Sequence, residues 1–232
     1  MSEPFRKRWG LFPNPEVART SAALDARQDC QRIVRLMGQY DMAWDMQRAL
    51  ELALFYTYGS DSVSTLLNRT GEFREHGQKR YDDTRLLIGH FLEAGWDSEV
   101  GAQALDRINR THAHYRIPND DYLFVLWTFI EFPLRWSKVY ARRPMTAHER
   151  EAGFNFWVEI GRRMGLSDIP PTKAAFDAFI EGYKQRHFKP CAASAQVAQD
   201  TLRVGQAWLD GQIAVFEGEH VTKGETIVDG EP

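Results

Sequence analysis

Two histidines stand one residue apart in the segment INRTHAHYRIPNDDY, residues 108–122. Imidazole is the commonest neutral metal ligand in proteins, so His112 and His114 are candidate ligands. Each residue turns an α-helix by about 100°, so side chains two positions apart lie about 200° apart around the helix axis. Only one of the two histidines can therefore reach a given buried site, and the residue types do not decide which.

The surrounding sequence limits the kind of metal site that one histidine could serve. A zinc site needs three or four protein ligands at recognisable spacing, and no H-E-x-x-H motif is present. A di-iron bundle needs Glu-x-x-His pairs on two helices, whereas Glu72 and His76 are four positions apart. Haem iron can be held by a single axial histidine among apolar helices, so haem is compatible with the sequence without being proved by it.

A second polar pair lies in the segment KRYDDTR, residues 79–85. Arg80 and Thr84 are four residues apart, so both project from one face of a helix. An arginine on a buried face needs an anionic partner, such as a carboxylate or a cofactor carboxylate. The alternative is a surface arginine paired with Asp82 or Asp83, and the spacing alone favours that simpler interpretation.

The apolar segment YLFVLWTFIEFPL, residues 122–134, is either packed core or the wall of a pocket. Glu131 is costly in such surroundings unless it is paired, and Arg135 lies one turn later as a natural salt-bridge partner. The segment is too short to cross a bilayer, which takes about 20 apolar residues. We therefore expect no stable membrane insertion.

Helical periodicity extends through most of the chain, with apolar residues at i, i+3, i+4 and i+7. The patterns predict one all-α domain, a single bundle of about eight to ten helices. An irregular N-terminal arm is expected over residues 1–27, a helical domain over 28–212, and a flexible acidic C-terminal tail over 213–232.

Composition excludes several classes of protein. The net charge is −3, which gives no general attraction to nucleic acid, and two cysteines make neither a disulfide framework nor a zinc motif. No apolar signal-peptide core follows the charged N-terminal residues, so a cytoplasmic location is expected. The oligomeric state is left open.

Several of these segments, in this order, resemble the MpaB/rubber oxygenase (latex clearing protein) catalytic-domain family over roughly residues 28–188. The resemblance rests on Arg80-Tyr-Asp-Asp-Thr84, His112-Ala-His-Tyr-Arg116, the segment from Asp121 to Trp127, and two later motifs. These motifs are Met145–Glu151 and Gly165–Thr172, which read MTAHERE and GLSDIPPT.

The resemblance implies that the helical domain over residues 28–212 is an oxygenase-like catalytic domain, a helical bundle around a buried apolar cofactor pocket. Such a protein holds haem b non-covalently and uses dioxygen on a small hydrophobic substrate. Characterised relatives cleave isoprenoid carbon–carbon double bonds. Carried over by position, His112 is the axial iron ligand, with His114 in reserve. Arg80 and Thr84 line the haem pocket and are the catalytic candidates, and Trp127 completes the predicted cofactor-binding set.

Two features depart from the family pattern. Some rubber-cleaving relatives have a lysine directly before the threonine, where this chain has Asp83. The glutamate proposed as a base in that branch has no clear counterpart, and Glu72, Glu75 and Glu131 are all open candidates. A non-catalytic helical haem-binding, ligand-sensing or scaffold protein of the same fold is the alternative function.

Overall fold

The computed structural model describes residues 5, 6 and 12–224, with the backbone alone at 208, 209 and 211–224. This part of the chain is an all-α bundle without strands, as predicted. Its ten α-helices are α1 Pro15–Ala22, α2 Cys30–Leu36, α3 Ala43–Tyr56, α4 Asp61–Thr70, α5 Glu72–Ala94, α6 Glu99–His112, α7 Asn119–Val139, α8 Ala147–Arg163, α9 Lys173–His187 and α10 Ala192–Gly224. A π-helical turn, Met37–Asp41, joins α2 to α3, and a 3₁₀ turn, Thr57–Gly59, follows α3.

Local signals in the sequence fix several helix ends. Ser98 caps α6 by accepting a hydrogen bond from the Gly101 amide, as its position predicts. Thr146 and Glu149 form the predicted capping box of α8. Gly95 ends α5 with φ of +85°, a conformation that side chains with a Cβ rarely adopt. These ends hold α5 and α6 as neighbouring antiparallel helices.

The N-terminal arm differs from the irregular segment that was expected, because residues 15–22 form α1. Asn14 caps this helix through its side chain, and Pro15 takes the first helical position, where its missing amide costs nothing. The prolines of this segment therefore start a helix instead of preventing one. Val17 then packs with Leu36 and Tyr40 in a small satellite core.

Helix α7 lies at the centre of the bundle and packs against α3, α8 and α9. It is buried on most sides, as its apolar sequence predicts. Its buried side chains include Leu123, Phe124, Leu126, Trp127, Thr128 and Ile130. All of them except Thr128 join the main hydrophobic core, to which α2, α5, α8 and α9 also contribute.

Helix α5 is the long helix that the sequence predicts, and it packs against α6 on one side and α10 on another. Its backbone leaves helical geometry at His76, where φ is −137° and ψ is 35°. Gly77 follows, and a Cβ added there would lie 2.6 Å from Val204 Cγ2 on α10. The absence of a side chain at Gly77 therefore permits the close approach of α5 and α10.

Helix α10 continues to Gly224 and so enters the segment predicted to be a flexible tail. The sequence from 212 to 216, QIAVF, contains no proline or glycine that would end a helix. Residues 225–232, the rest of the predicted tail, lie outside the described residues.

Candidate functional site

A cavity of about 790 Å³ lies between α3, α5, α7, α8 and α10. This volume is in the range of small-molecule and cofactor pockets. Its wall is mainly apolar and aromatic, and Phe129 stacks on Trp157 with ring centroids 4.7 Å apart. The apolar and aromatic lining includes Leu50, Leu54, Phe55, Tyr58, Phe73, Ile88, Leu92, Phe129, Ile130, Phe154 and Trp157.

Arg80 and Thr84 both line this cavity from α5, and they share one face of the helix, as their spacing predicts. The Arg80 guanidinium donates a hydrogen bond to Thr84 Oγ1, and Thr84 in turn donates to the Arg80 carbonyl oxygen at 2.9 Å. The guanidinium also lies 5.8 Å from the centroid of the Phe73 ring. Asp83 pairs with Lys79 instead, so the proposed pairing of Arg80 with Asp82 or Asp83 is wrong. Within the described part of the chain, no carboxylate forms a direct ion pair with Arg80, although the charge of Arg80 helps to lower the pKa of Asp83 after the larger effect of the hydrogen bond from Lys79.

His112 is the last residue of α6 and is half-buried. Its Nδ1 atom is buried and has no hydrogen-bond partner among the described residues. The ring packs edge-on against Tyr122, with centroids 5.5 Å apart. Burial lowers the pKa of His112, and the nearby positive charge of Arg80 lowers it further, so the neutral imidazole is favoured.

The other two residues predicted to bind a cofactor lie apart from the cavity wall. His114 is exposed on the turn after α6, where its Nδ1 atom lies 3.4 Å from the Thr111 carbonyl oxygen. Trp127 is 2% exposed, and its Nε1 donates to Asp177 Oδ1 at 2.7 Å. His112 is also outside the set of cavity-lining residues, but Arg80 both lines the cavity and acts electrostatically on His112.

The glutamates considered from the sequence do not line the cavity either. Glu131 is held by Arg135 and Lys173, which confirms the expected Arg135 salt bridge. Glu72 and Glu75 lie in the first turn of α5. Helices α3 and α5 instead present Glu51 and Glu93 to the cavity.

Glu51 and Tyr81 form a polar cluster on the cavity wall that sequence reasoning missed. Tyr81 Oη donates to Glu51 Oε1 at 2.6 Å, and Arg48 donates to the same oxygen at 2.6 Å. The sequence contains a signal for Glu51, because this carboxylate interrupts the apolar run ALELALFY, residues 49–56. It contains none for the pairing with Tyr81, which is 30 positions away.

No group of three or more His, Cys, Asp or Glu side chains suited to a metal ion occurs in the described residues. A metal bound here through His112 would therefore need ligands from a cofactor, as in haem. The described helices also include none that combines the length and apolar character needed to span a bilayer.

Comparison with known proteins gives matches of two kinds. The chain is 28% identical over 204 residues to the ER-bound oxygenase mpaB of Penicillium roqueforti (strain FM164), covering 80% of this chain and 68% of that protein. It is 27% identical over 216 residues to the ER-bound oxygenase mpaB′ of Penicillium brevicompactum, covering 85% of this chain and 50% of that protein.

The second kind of match is short. A stretch of 21 residues, 9% of this chain, is 95% identical to 2% of the β′ subunit of DNA-directed RNA polymerase from Xylella fastidiosa (strain M23). A match of that length shows a shared segment and no shared domain. No solved structure matches the chain.

The family assignment rests on the larger part of the chain. The model of the family described as "ER-bound oxygenase mpaB/B'/Rubber oxygenase, catalytic domain" matches residues 46–218. These residues contain α4–α9, most of α3 and α10, most of the residues that line the cavity, and His112. The chain therefore belongs to the mpaB/rubber oxygenase catalytic-domain family.

Proposed function

We propose that this chain is a haem b-dependent oxygenase that acts with dioxygen on a hydrophobic substrate such as an isoprenoid alkene. Membership of a family named for oxygenases supports the reaction class. The chain spans about half the length of the P. brevicompactum relative, so the activity of that whole protein is itself part of the proposal. The apolar cavity supports the substrate class, because it can bury a hydrocarbon chain.

The observation that carries the proposal is the buried Nδ1 atom of His112, which has no hydrogen-bond partner in the described structure. A buried polar atom without a partner costs free energy, so such an atom commonly serves a ligand. Metal binding requires the neutral imidazole, and the lowered pKa of His112 favours that form. Arg80 adds a cation near the same histidine that has no direct ion-pair partner among the described residues, which suits a propionate carboxylate of haem. The residues present therefore fit haem.

Each residue of this site then has a defined task. His112 would hold the iron through a ring nitrogen, and Arg80 would bind a haem carboxylate. Thr84 keeps the Arg80 guanidinium in place through the hydrogen bond between their side chains. The aromatic wall around Phe129 and Trp157 would hold the hydrocarbon and exclude water. When bound, haem would supply the iron chemistry that activates dioxygen, which no side chain provides.

The experiment compares dioxygen consumption with squalene and with squalane, which has the same carbon skeleton without double bonds. We expect the purified holoprotein to consume dioxygen with squalene and to form carbonyl products by mass spectrometry, but to do neither with squalane. His112→Ala should abolish the squalene reaction, while His114→Ala, a matched change at an exposed position, should retain it.

Two results would count against the proposal. A protein that binds haem and changes its spectrum with carbon monoxide, but oxidises neither hydrocarbon nor other alkenes, would be the haem-binding or sensing protein of the alternative interpretation. A protein that binds no haem after reconstitution with haemin would be a helical binding or scaffold module.

A further inference from the structure

The carboxylate of Glu51 is paired unevenly on the cavity wall. Gln47, Arg48 and Tyr81 all donate to Oε1, at 3.3, 2.6 and 2.6 Å. Oε2 accepts no hydrogen bond from any residue that the structure describes. A carboxylate can accept about four hydrogen bonds over its two oxygens, so Oε2 retains its full capacity as an acceptor.

The surroundings hold Glu51 and Tyr81 in fixed hydrogen-bonding roles. Burial raises the pKa of Tyr81, and the hydrogen bond to Glu51 raises it further, so Tyr81 stays protonated and donates. Arg48 forms an ion pair with the Glu51 carboxylate at 2.6 Å. Glu51 can therefore only accept hydrogen bonds, and a ligand at Oε2 must supply a donor.

The charges around the cavity restrict what kind of donor fits. Among the described residues, four arginines line the cavity, Arg35, Arg80, Arg85 and Arg150, against two glutamates, Glu51 and Glu93. This positive excess disfavours an ammonium group on the ligand, while Glu51 itself repels a carboxylate at this position. A neutral hydroxyl group meets both conditions, because it donates a hydrogen bond and carries no charge.

We propose that Glu51 Oε2 binds the hydroxyl group of an otherwise apolar alcohol or phenol, so that Glu51 selects hydroxylated hydrophobic substrates. The proposal rests on the proposed function for the claim that the bound molecule is a substrate. The apolar part of the molecule would lie along the aromatic wall, and the hydroxyl would donate to Glu51. The Arg48 and Tyr81 contacts fix the carboxylate before the ligand arrives, so little ordering is needed on binding.

Three ligands with the same hexylbenzene skeleton test whether binding needs a hydrogen-bond donor on the ligand: 4-hexylphenol, 4-hexylanisole and hexylbenzene. Isothermal titration calorimetry on the purified protein would give their affinities. We expect 4-hexylphenol to bind at least about tenfold more tightly than the other two, which is a conservative effect for a hydrogen bond to a charged group. The anisole keeps the oxygen atom but has no donor, so it should bind like the hydrocarbon.

A pair of matched variants tests the residue. Glu51→Gln should reduce the preference for the phenol to less than about threefold, because a neutral acceptor replaces the carboxylate. Glu93→Gln makes the same change at the other carboxylate of the cavity and should keep the preference. Equal binding of phenol and anisole, no measurable binding of the phenol, or a preference that survives in a folded Glu51→Gln protein overturns the proposal.

The ligand comparison needs no variant, so it decides the question even if Glu51→Gln does not fold. Its outcome is also separable from that of the proposed function. Haem absorption and oxidation of squalene without a preference for the phenol would overturn only the role of Glu51. If the protein prefers the phenol but binds no haem, only the proposed function as a haem-dependent oxygenase would be overturned.

Discussion

The side chain of His112 combines features that ordinary packing does not require. Its Nδ1 atom is buried and has no hydrogen-bond partner among the described residues. The positive charge of Arg80 contributes to the lowered pKa of His112, after the larger effect of burial. The unpaired buried Nδ1 atom raises the free energy of the folded protein, and a metal bound to His112 would relieve that cost. Such a cost is what the proposed haem site would require at His112, since binding sites commonly give up some stability for function.

Trp127 provides a prediction at the residue scale. Trp127→Phe removes the Nε1 donor to Asp177, and we expect a loss of about 2 kcal/mol in the free energy of unfolding, typical for a hydrogen bond to a charged group. It should leave haem absorption unchanged, because the polar atom of Trp127 is already bound to Asp177 and is not among the groups proposed to hold haem. Urea unfolding and the ratio of haem to protein absorbance measure the two effects.

Thr84→Val is the comparison for Trp127→Phe. It removes the hydroxyl that holds the Arg80 guanidinium at the cavity wall, so we expect less haem to be retained. Loss of haem in Trp127→Phe at unchanged stability would place Trp127 in the cofactor site after all, as the sequence alone suggested.

Residues within one helix were the easiest to predict from the sequence. The i, i+4 spacing places Arg80 and Thr84 on one face, and the structure confirms their contact. The Glu51–Tyr81 pair joins two helices, so no local pattern predicts it. The hydrogen bond from the Trp127 indole to Asp177 likewise depends on where α9 packs against α7, and no local pattern in the sequence determines that packing.

At the scale of elements, a buried ion cluster joins the turn before α3 to the start of α8. Arg143 donates to both oxygens of Glu149, at 2.8 and 2.6 Å, and also to Asp41. Glu149 is 5% exposed and Asp41 is 3% exposed. Burial would raise the pKa of Glu149, but hydrogen bonds from Arg143 and Thr146 lower it below its usual value. The cluster therefore holds α8, which carries Trp157, against the cavity.

Glu149→Gln should lower the free energy of unfolding at neutral pH by about 2 kcal/mol. This loss is smaller than the roughly 3–5 kcal/mol that results from breaking a fully buried ion pair, because Arg143 keeps its ion pair with Asp41 in the variant. A carboxyl with a lowered pKa stabilises the fold above its unfolded pKa, near 4.5, and loses that contribution as the pH falls through its folded pKa. The difference between wild type and variant should therefore shrink below pH 4.5.

Urea unfolding at neutral and acidic pH measures this effect, with Glu159→Gln as the control on the same helix. Glu159 pairs with Arg163 at the surface, so its loss should cost at most about 1 kcal/mol. Equal losses for the two variants, or a gap for Glu149→Gln that stays constant into acid, would contradict this account of the cluster.

Helix ends with side-chain or glycine signals were predictable from the sequence, as Ser98, Thr146 and Gly95 show. The irregular turn at His76 was not predictable, since its neighbours have no proline and their pattern is helical. Gly77, the next residue, needs to lack a side chain because it packs closely against Val204. Val204 lies on a helix more than 100 residues later in the chain. Long-range packing of this kind leaves no trace in local spacing.

At the scale of the whole molecule, the bundle encloses a cavity whose wall differs from side to side. Phe129 and Trp157 form an aromatic surface, while α5 presents Arg80, Thr84 and Tyr81. Periodicity predicted the all-α fold and its long central helix, because both depend on apolar patterning. The volume and lining of the cavity depend on how five helices come together, which patterning does not specify.

The most direct test of the central claim is the visible absorption spectrum of the purified protein, after expression with sufficient iron or reconstitution with haemin. We predict a Soret band in the wild type and in His114→Ala, and its loss in His112→Ala. The three proteins should have equal far-ultraviolet circular dichroism, so that a lost band reports ligation and not unfolding. A band that persists in His112→Ala, or its absence from the wild type after reconstitution, would contradict the account.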